Sequence, residues 1–113
     1  NLVAGIMLFR KNGMRFKSAD LFGGGANSPC WRQMMADITG LEINVPQETE
    51  AAALGAALLQ AQWCHLCNTD SYYEIQDLCD DFIQFNPALY CAPIAAHQKN
   101  YRSLFKEYMG LVQ

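Results

Sequence analysis

Leu21-Phe22-Gly23-Gly24-Gly25-Ala26-Asn27-Ser28-Pro29-Cys30-Trp31-Arg32 is the stretch on which the reading of this chain turns. A short apolar run ends in three glycines, and a helix start follows at once. Residues without side chains let the backbone approach a ligand closely. Ser28 is a good N-cap, and Pro29 falls at the first helical position, where its missing N–H costs nothing. The first N–H groups of a helix have no intrahelical partner and favour an anion. The stretch therefore reads as strand, turn and helix, shaped to hold a phosphate or a nucleotide. Two common glycine-rich patterns are not met. There is no Gly-x-x-x-x-Gly-Lys-Ser/Thr, and position 28 is Ser where Gly-x-Gly-x-x-Gly needs a glycine.

The rest of the chain is built around that turn. Upstream, Leu2, Val3, Ile6, Met7 and Phe9 recur at mostly helical spacing, and Asn12-Gly13 supplies a stop. Residues 19–22 read as a short buried strand. The helix after Ser28 runs through Trp31, Met34, Met35 and Ile38 and ends at Gly40. Leu41-Glu42-Ile43-Asn44-Val45 alternates with period two, and Pro46 closes it as a strand.

Residues 48–64 read as a buried, alanine-rich helix. Gly55 costs about 1 kcal/mol there relative to Ala, which suggests close packing. Ser71-Tyr72-Tyr73-Glu74 has the capping-box pattern for a helix to about residue 82. An irregular stretch carries Pro87 and Pro93. Tyr101, Leu104, Phe105, Tyr108 and Leu111 then repeat at helical spacing. The order helix, strand, helix, strand and three helices implies an α/β arrangement with little sheet. Two strands do not make a stable sheet alone. Further strands are expected upstream, since the chain opens on Asn1-Leu2-Val3 with no initiator methionine.

Composition narrows the function classes. The chain has 113 residues, 51% of them hydrophobic and 17% charged, which fits a globular piece that buries surface against something else. With a net charge of −3 and no basic cluster beyond pairs such as Arg10–Lys11, no nucleic-acid or anionic-membrane surface is expected. No apolar run approaches the roughly 18–20 residues that span a bilayer. Five cysteines, an odd number, and no secretory signal pattern argue against a disulfide framework and for a reducing cytoplasm. Cys64-His65-Leu66-Cys67, with Cys79, Cys91 and His97 downstream, permits a small zinc module as an alternative. The first pair ends an apolar helix and the second is not Cys-x-x-Cys, so these are read as free, buried thiols.

Ala19 through Ser28 resembles the adenosine motif of the actin-like ATPase superfamily. More narrowly, the run from Gly23 through Trp31-Arg32-Gln33 and Ala36-Asp37 to Gly40 resembles the C-terminal half of FGGY carbohydrate kinases, and within them the xylulokinases. A second match follows in Glu50-Ala51-Ala52-Ala53-Leu54-Gly55-Ala56-Ala57. The tail Tyr90, Pro93, Tyr101 and Tyr108 is similar to the family's ending. Asn27 departs from the pattern, standing where Lys or Arg is common.

The resemblance implies a fold: residues 1–113 are the C-terminal segment of the second, nucleotide-binding lobe of a ribonuclease H-like, actin-like kinase, without the sugar-binding N-terminal lobe. It implies that Gly24, Gly25, Ala26, Asn27 and Ser28 lie against the nucleotide, with no catalytic residue and no metal ligand in this chain. Asp80 and Asp81 read as a solvated helix end. ATP and Mg²⁺ are the implied cofactors, the metal held mainly by upstream parts. The partners are ATP or ADP, a sugar such as a ketopentose, the missing N-terminal part, and a possible second copy in a homodimer. A non-kinase actin-like nucleotide-binding domain is the alternative, because fold does not fix function. Trp31 is expected in the core, Arg32 as solvated or salt-bridged, Asp37 as structural, and Glu50 as a helix-start carboxylate favoured by the dipole. Gly55 is expected to allow close packing beneath the glycine turn.

Overall fold

The computed structural model describes residues 2–111; Asn1, Val112 and Gln113, the ends of the expected 1–113 segment, lie outside it. Five helices and two short strands follow the expected order: α1 (Leu2–Lys11), β1 (Ser18–Asp20), α2 (Pro29–Thr39), β2 (Glu42–Asn44), α3 (Ala51–Thr69), α4 (Ile75–Phe82) and α5 (Ala95–Leu111). Single 3₁₀ turns at Gly24–Asn27 and Pro87–Leu89 lie in the connections.

The two strands run parallel, with Ala19 opposite Ile43. β2 is the centre of the small sheet. On its other side Ile43 exchanges both backbone hydrogen bonds with Cys91, at 2.8 and 3.0 Å, in an antiparallel bridge. A second bridge joins Pro46 to Phe85. The stretch expected to be irregular thus runs beside β2 and occupies an edge that would otherwise be unpaired. This central placement buries Ile43 and Val45, which with Ala26 and Ala36 form the core.

α2 lies over that core and packs against both α1 and α5. Ser28 Oγ accepts the Trp31 N–H at 3.3 Å, Pro29 takes the first helical position, and Gly40 ends the helix in the left-handed region (φ 69°). Both ends of α2 match the sequence reading, because caps are local chemistry.

The structure corrects several expectations. β1 ends at Asp20, before Leu21 and Phe22, and its residues are half-buried or exposed. The Leu21 N–H still bonds to the Asn44 carbonyl at 2.8 Å, so the pairing outlasts the strand by one residue. α3 runs on to Thr69, and Leu58 is its one buried residue. Its alanines are apolar without being large enough to require cover. A Cβ on Gly55 would meet no atom within 4 Å, so among the described residues nothing packs closely against it. The Ser71–Glu74 capping box does not form. Asp70 closes α3 in the left-handed region, and α4 begins only at Ile75, with Glu74 as a cap that makes no side-chain bond.

The radius of gyration is 17.8 Å, with extents of 57 × 32 × 21 Å. A compact chain of this length would have a radius of about 13 Å. α3 and α4 pack on each other and have few contacts with the sheet. Leu59, Trp63, Tyr72 and Phe82 there are each at least 60% exposed, an apolar surface that this chain does not cover.

Candidate functional site

The glycine turn begins where the parallel strands end. Open α/β sheets bind ligands outside the carboxyl ends of such strands. Gly23 has φ 82° and ψ −177°, a backbone conformation that a side chain would strain. Its N–H donates to the Thr49 carbonyl at 2.9 Å, which pins the turn to the loop leading into α3. The Ala26 N–H then donates to Gly23, and the Ser28 N–H to Gly25, closing the 3₁₀ turn.

Five residues were singled out by sequence, and the turn holds them in one short arc. Gly24, Gly25, Asn27 and Ser28 are exposed, whereas Ala26 is fully buried against Ile43 and Val45. A Cβ on Gly23 or Gly24 would meet nothing within 4 Å, so the backbone faces open space. Gly25 differs. A Cβ there would lie 2.9 Å from the Trp31 indole Cδ1 and Nε1. Trp31, expected in the core, is instead 45% exposed and flanks the turn.

The start of α2 is a poor anion cradle. Pro29 has no N–H, the Trp31 N–H is taken by Ser28 Oγ at 3.3 Å, and the Arg32 N–H by the Ser28 carbonyl at 3.0 Å. Three of the first four helical positions thus offer no N–H to a phosphate. An open glycine backbone beside an exposed indole suits a flat, uncharged group better than an anion.

Arg32, expected to be solvated or salt-bridged, is buried and has no carboxylate partner among the described residues. It is 6% exposed, and its Nη1 donates to the Ala26 carbonyl at 2.6 Å, beneath the turn. A signal for this was present, since long helical side chains lean toward the helix N-terminus. An arginine in the first turn after Ser28 can therefore reach back to the segment before it.

Asp37, expected to be structural, is buried at the far end of α2 and organises the α2–α5 contact. Its Oδ1 accepts the Ile94 N–H at 2.7 Å and Gln33 Nε2 at 3.0 Å, while its Oδ2 lies 2.8 Å from His97 Nδ1. Burial pushes the carboxyl upward, but the bonds from Ile94, His97 and Gln33, with the His97 charge, outweigh it and hold Asp37 below its ordinary value. A groove of about 390 Å³ between α1, α2 and α5, lined in part by Arg10, Gln98 and Arg102, lies at this end and includes no residue of the glycine turn.

Glu50 stands at the N-terminal cap of α3 and makes no side-chain cap bond; instead Glu48 Oε1 accepts the Glu50 N–H at 2.8 Å. Asp81 accepts a hydrogen bond from the Tyr73 hydroxyl at 3.3 Å. All five cysteines are free thiols, and Cys30, Cys64 and Cys67 are exposed, contrary to the expectation of burial. Among the described residues no group of three His, Cys, Asp or Glu side chains could hold a metal ion. Nor is any described helix long and apolar enough to cross a membrane.

Residues 4–63 match the FGGY family of carbohydrate kinases, C-terminal domain, and the chain belongs to that family. A xylulose kinase of Haemophilus influenzae is 38% identical over 105 residues, which is 93% of this chain and 20% of that protein. A xylulose kinase of Bacillus subtilis is 29% identical over 106 residues, 94% of this chain and 20% of its own length. An autoinducer-2 kinase of Enterobacter is 41% identical over 59 residues, covering 52% of this chain and 11% of that protein.

The solved structure of a ligand-bound xylulose kinase from Lactobacillus acidophilus superposes with a TM-score of 0.65. It is 24% identical and covers 81% of this chain and 17% of its own. The fold is thus that of the C-terminal part of an actin-like ATPase, rich in helix around a small parallel sheet. The chain spans about a fifth of the length of the curated xylulose kinases it matches.

Proposed function

We propose that this chain forms the adenine-side wall of the ATP site in a sugar kinase, one that moves the γ-phosphate of ATP to a hydroxyl of a ketopentose such as xylulose. The observation that carries the reading is the open backbone of Gly23 and Gly24 at the carboxyl end of β1, with nothing within 4 Å of either Cβ position. Family membership supports the kinase class, and the names of the relatives support a sugar substrate.

In this reading Gly24 and Gly25 lie flat against the base, with Asn27 and Ser28 as polar contacts at the rim. Ala26 acts from below, filling the core so that the turn cannot collapse. Phosphoryl transfer also needs a base for the sugar hydroxyl and neutralisation of the phosphate charge. The turn carries neither a carboxylate nor a cation. Those groups are assigned to upstream parts of a longer kinase that works in the cytoplasm. Mg²⁺, which a site of this kind holds through one or two carboxylates and the nucleotide's phosphates, is assigned mainly to the same upstream parts.

Hydrogen–deuterium exchange on the intact kinase tests the reading. ATP is expected to slow exchange at the amides of residues 23–28, and xylulose alone is not. Slowing elsewhere with no change in 23–28 would reject this wall of the site. The isolated 113-residue chain is expected to show no phosphoryl transfer, and robust turnover by it would reject the division of roles.

A further inference from the structure

We propose that Arg32 is a positioning residue for the nucleotide: its buried guanidinium holds the glycine turn in the shape that receives the base. The inference rests on the reading of the turn as a wall of the ATP site. Arg32 is 6% exposed, and among the described residues no carboxylate pairs with it. Its Nε is buried with no hydrogen-bond partner. An unpaired, partly unsatisfied buried cation is costly, and an apolar side chain of similar volume would fill the space at lower cost.

What the guanidinium does there is specific. Ala26 is fully buried, so its carbonyl has no access to bulk water, and Arg32 Nη1 supplies a charge-assisted donor at 2.6 Å. Because a peptide unit is planar, anchoring that carbonyl sets the plane of the Ala26–Asn27 peptide. The same plane sets where Asn27 and Ser28 leave the turn. The opposite end is pinned by the Gly23 N–H on the Thr49 carbonyl at 2.9 Å. Between these two anchors lie Gly24 and Gly25, the exposed glycines proposed to meet the base.

The test compares R32M, R32K and G25V in the intact kinase. R32M keeps the volume and removes the donor, whereas R32K keeps one charged donor. R32M is expected to raise the KM for ATP about tenfold, the loss of one buried charged hydrogen bond, with the sugar KM unchanged. R32K is expected to lie between R32M and the parent at an unchanged melting temperature.

If ATP and sugar KM rise together, or only the melting temperature falls, Arg32 is structural and the proposal is overturned. If R32M does not fold, R32K decides: an ATP KM equal to the parent's overturns it. G25V separates the two levels. A raised ATP KM in G25V with none in the Arg32 variants rejects the positioning role alone. No effect of G25V on ATP rejects the reading of the turn itself.

Discussion

His97 Nδ1 lies 2.8 Å from Asp37 Oδ2, and this contact fastens α5 to the end of α2. The two residues are sixty positions apart in the chain, and they differ in setting. The Asp37 side chain is almost fully buried and that of His97 is half exposed. Asp37 also holds the Ile94 N–H and Gln33 Nε2, and Gln33 Nε2 in turn reaches the Ala92 carbonyl at 2.9 Å. One carboxylate thus organises the approach to α5 as well as its first turn.

That arrangement sets an acid limit on the α2–α5 contact. The carboxyl of Asp37 is held below its ordinary value of 3.8 in the folded chain. A group with a depressed folded value contributes stability that is fully present above the unfolded value, and that is lost as pH falls through the folded one. The loss is therefore expected below about pH 4. Asp37→Asn should be less stable than the parent at neutral pH, by about 1–3 kcal/mol, because a buried charged acceptor is replaced. The gap should narrow as the pH falls through that window. Urea titrations of both proteins from pH 3 to 7 check this, and a constant gap would count against it.

At the glycine turn, Gly25→Val is expected to displace the Trp31 indole, since even the first carbon would stand 2.9 Å from it. The half-exposed ring can swing outward, so the fold should survive. Tryptophan fluorescence in a Trp63→Phe background would report the move as a shift to longer wavelength. In the intact kinase, ATP binding should weaken more than sugar binding; equal loss of both would indicate misfolding.

Ser28→Ala removes the acceptor for the Trp31 N–H. A lost N-cap costs about 1 kcal/mol, and Ser28→Asp should restore most of it. Thermal melts of the three proteins check the order. Equal melting temperatures would mean that the 3.3 Å bond contributes nothing.

Gly55→Ala is expected to stabilise this chain, by up to about 1 kcal/mol. The added methyl meets no atom within 4 Å, and Ala is the better helix former. A fall in helicity or melting temperature of the 113-residue protein would contradict the open surroundings of Gly55.

Much of the fold was legible because its signals are local. Ser28, Pro29 and Gly40 bracket α2 through capping chemistry within a few residues, whereas β2 ends at Asn44 and Pro46, expected to close it, is itself paired with Phe85. The glycine turn was legible too, since consecutive glycines between a strand and a cap leave few other readings. The failures share a cause. Trp31 and Arg32 are neighbours on one helix, yet the large apolar residue is exposed and the charged one is buried. Composition ranks them the other way, and only their placement over the core reverses it. Gly55 and the Ser71–Glu74 pattern failed similarly, because α3 extends past its expected end and packs on α4 with few contacts to the sheet.

By itself, then, the sequence determined the element order, the ends of α2, the open glycine backbone and the family. These depend on contacts between residues close in the chain, or on motifs read directly. Only the tertiary structure decided that Ala26 is buried while its neighbours face outward, that Arg32 grips the turn from below, and that Asp37 meets His97. Each of these joins separate segments or rests on which face of α2 meets the sheet, and a buried charge or carbonyl finds its partner only when those segments are brought together.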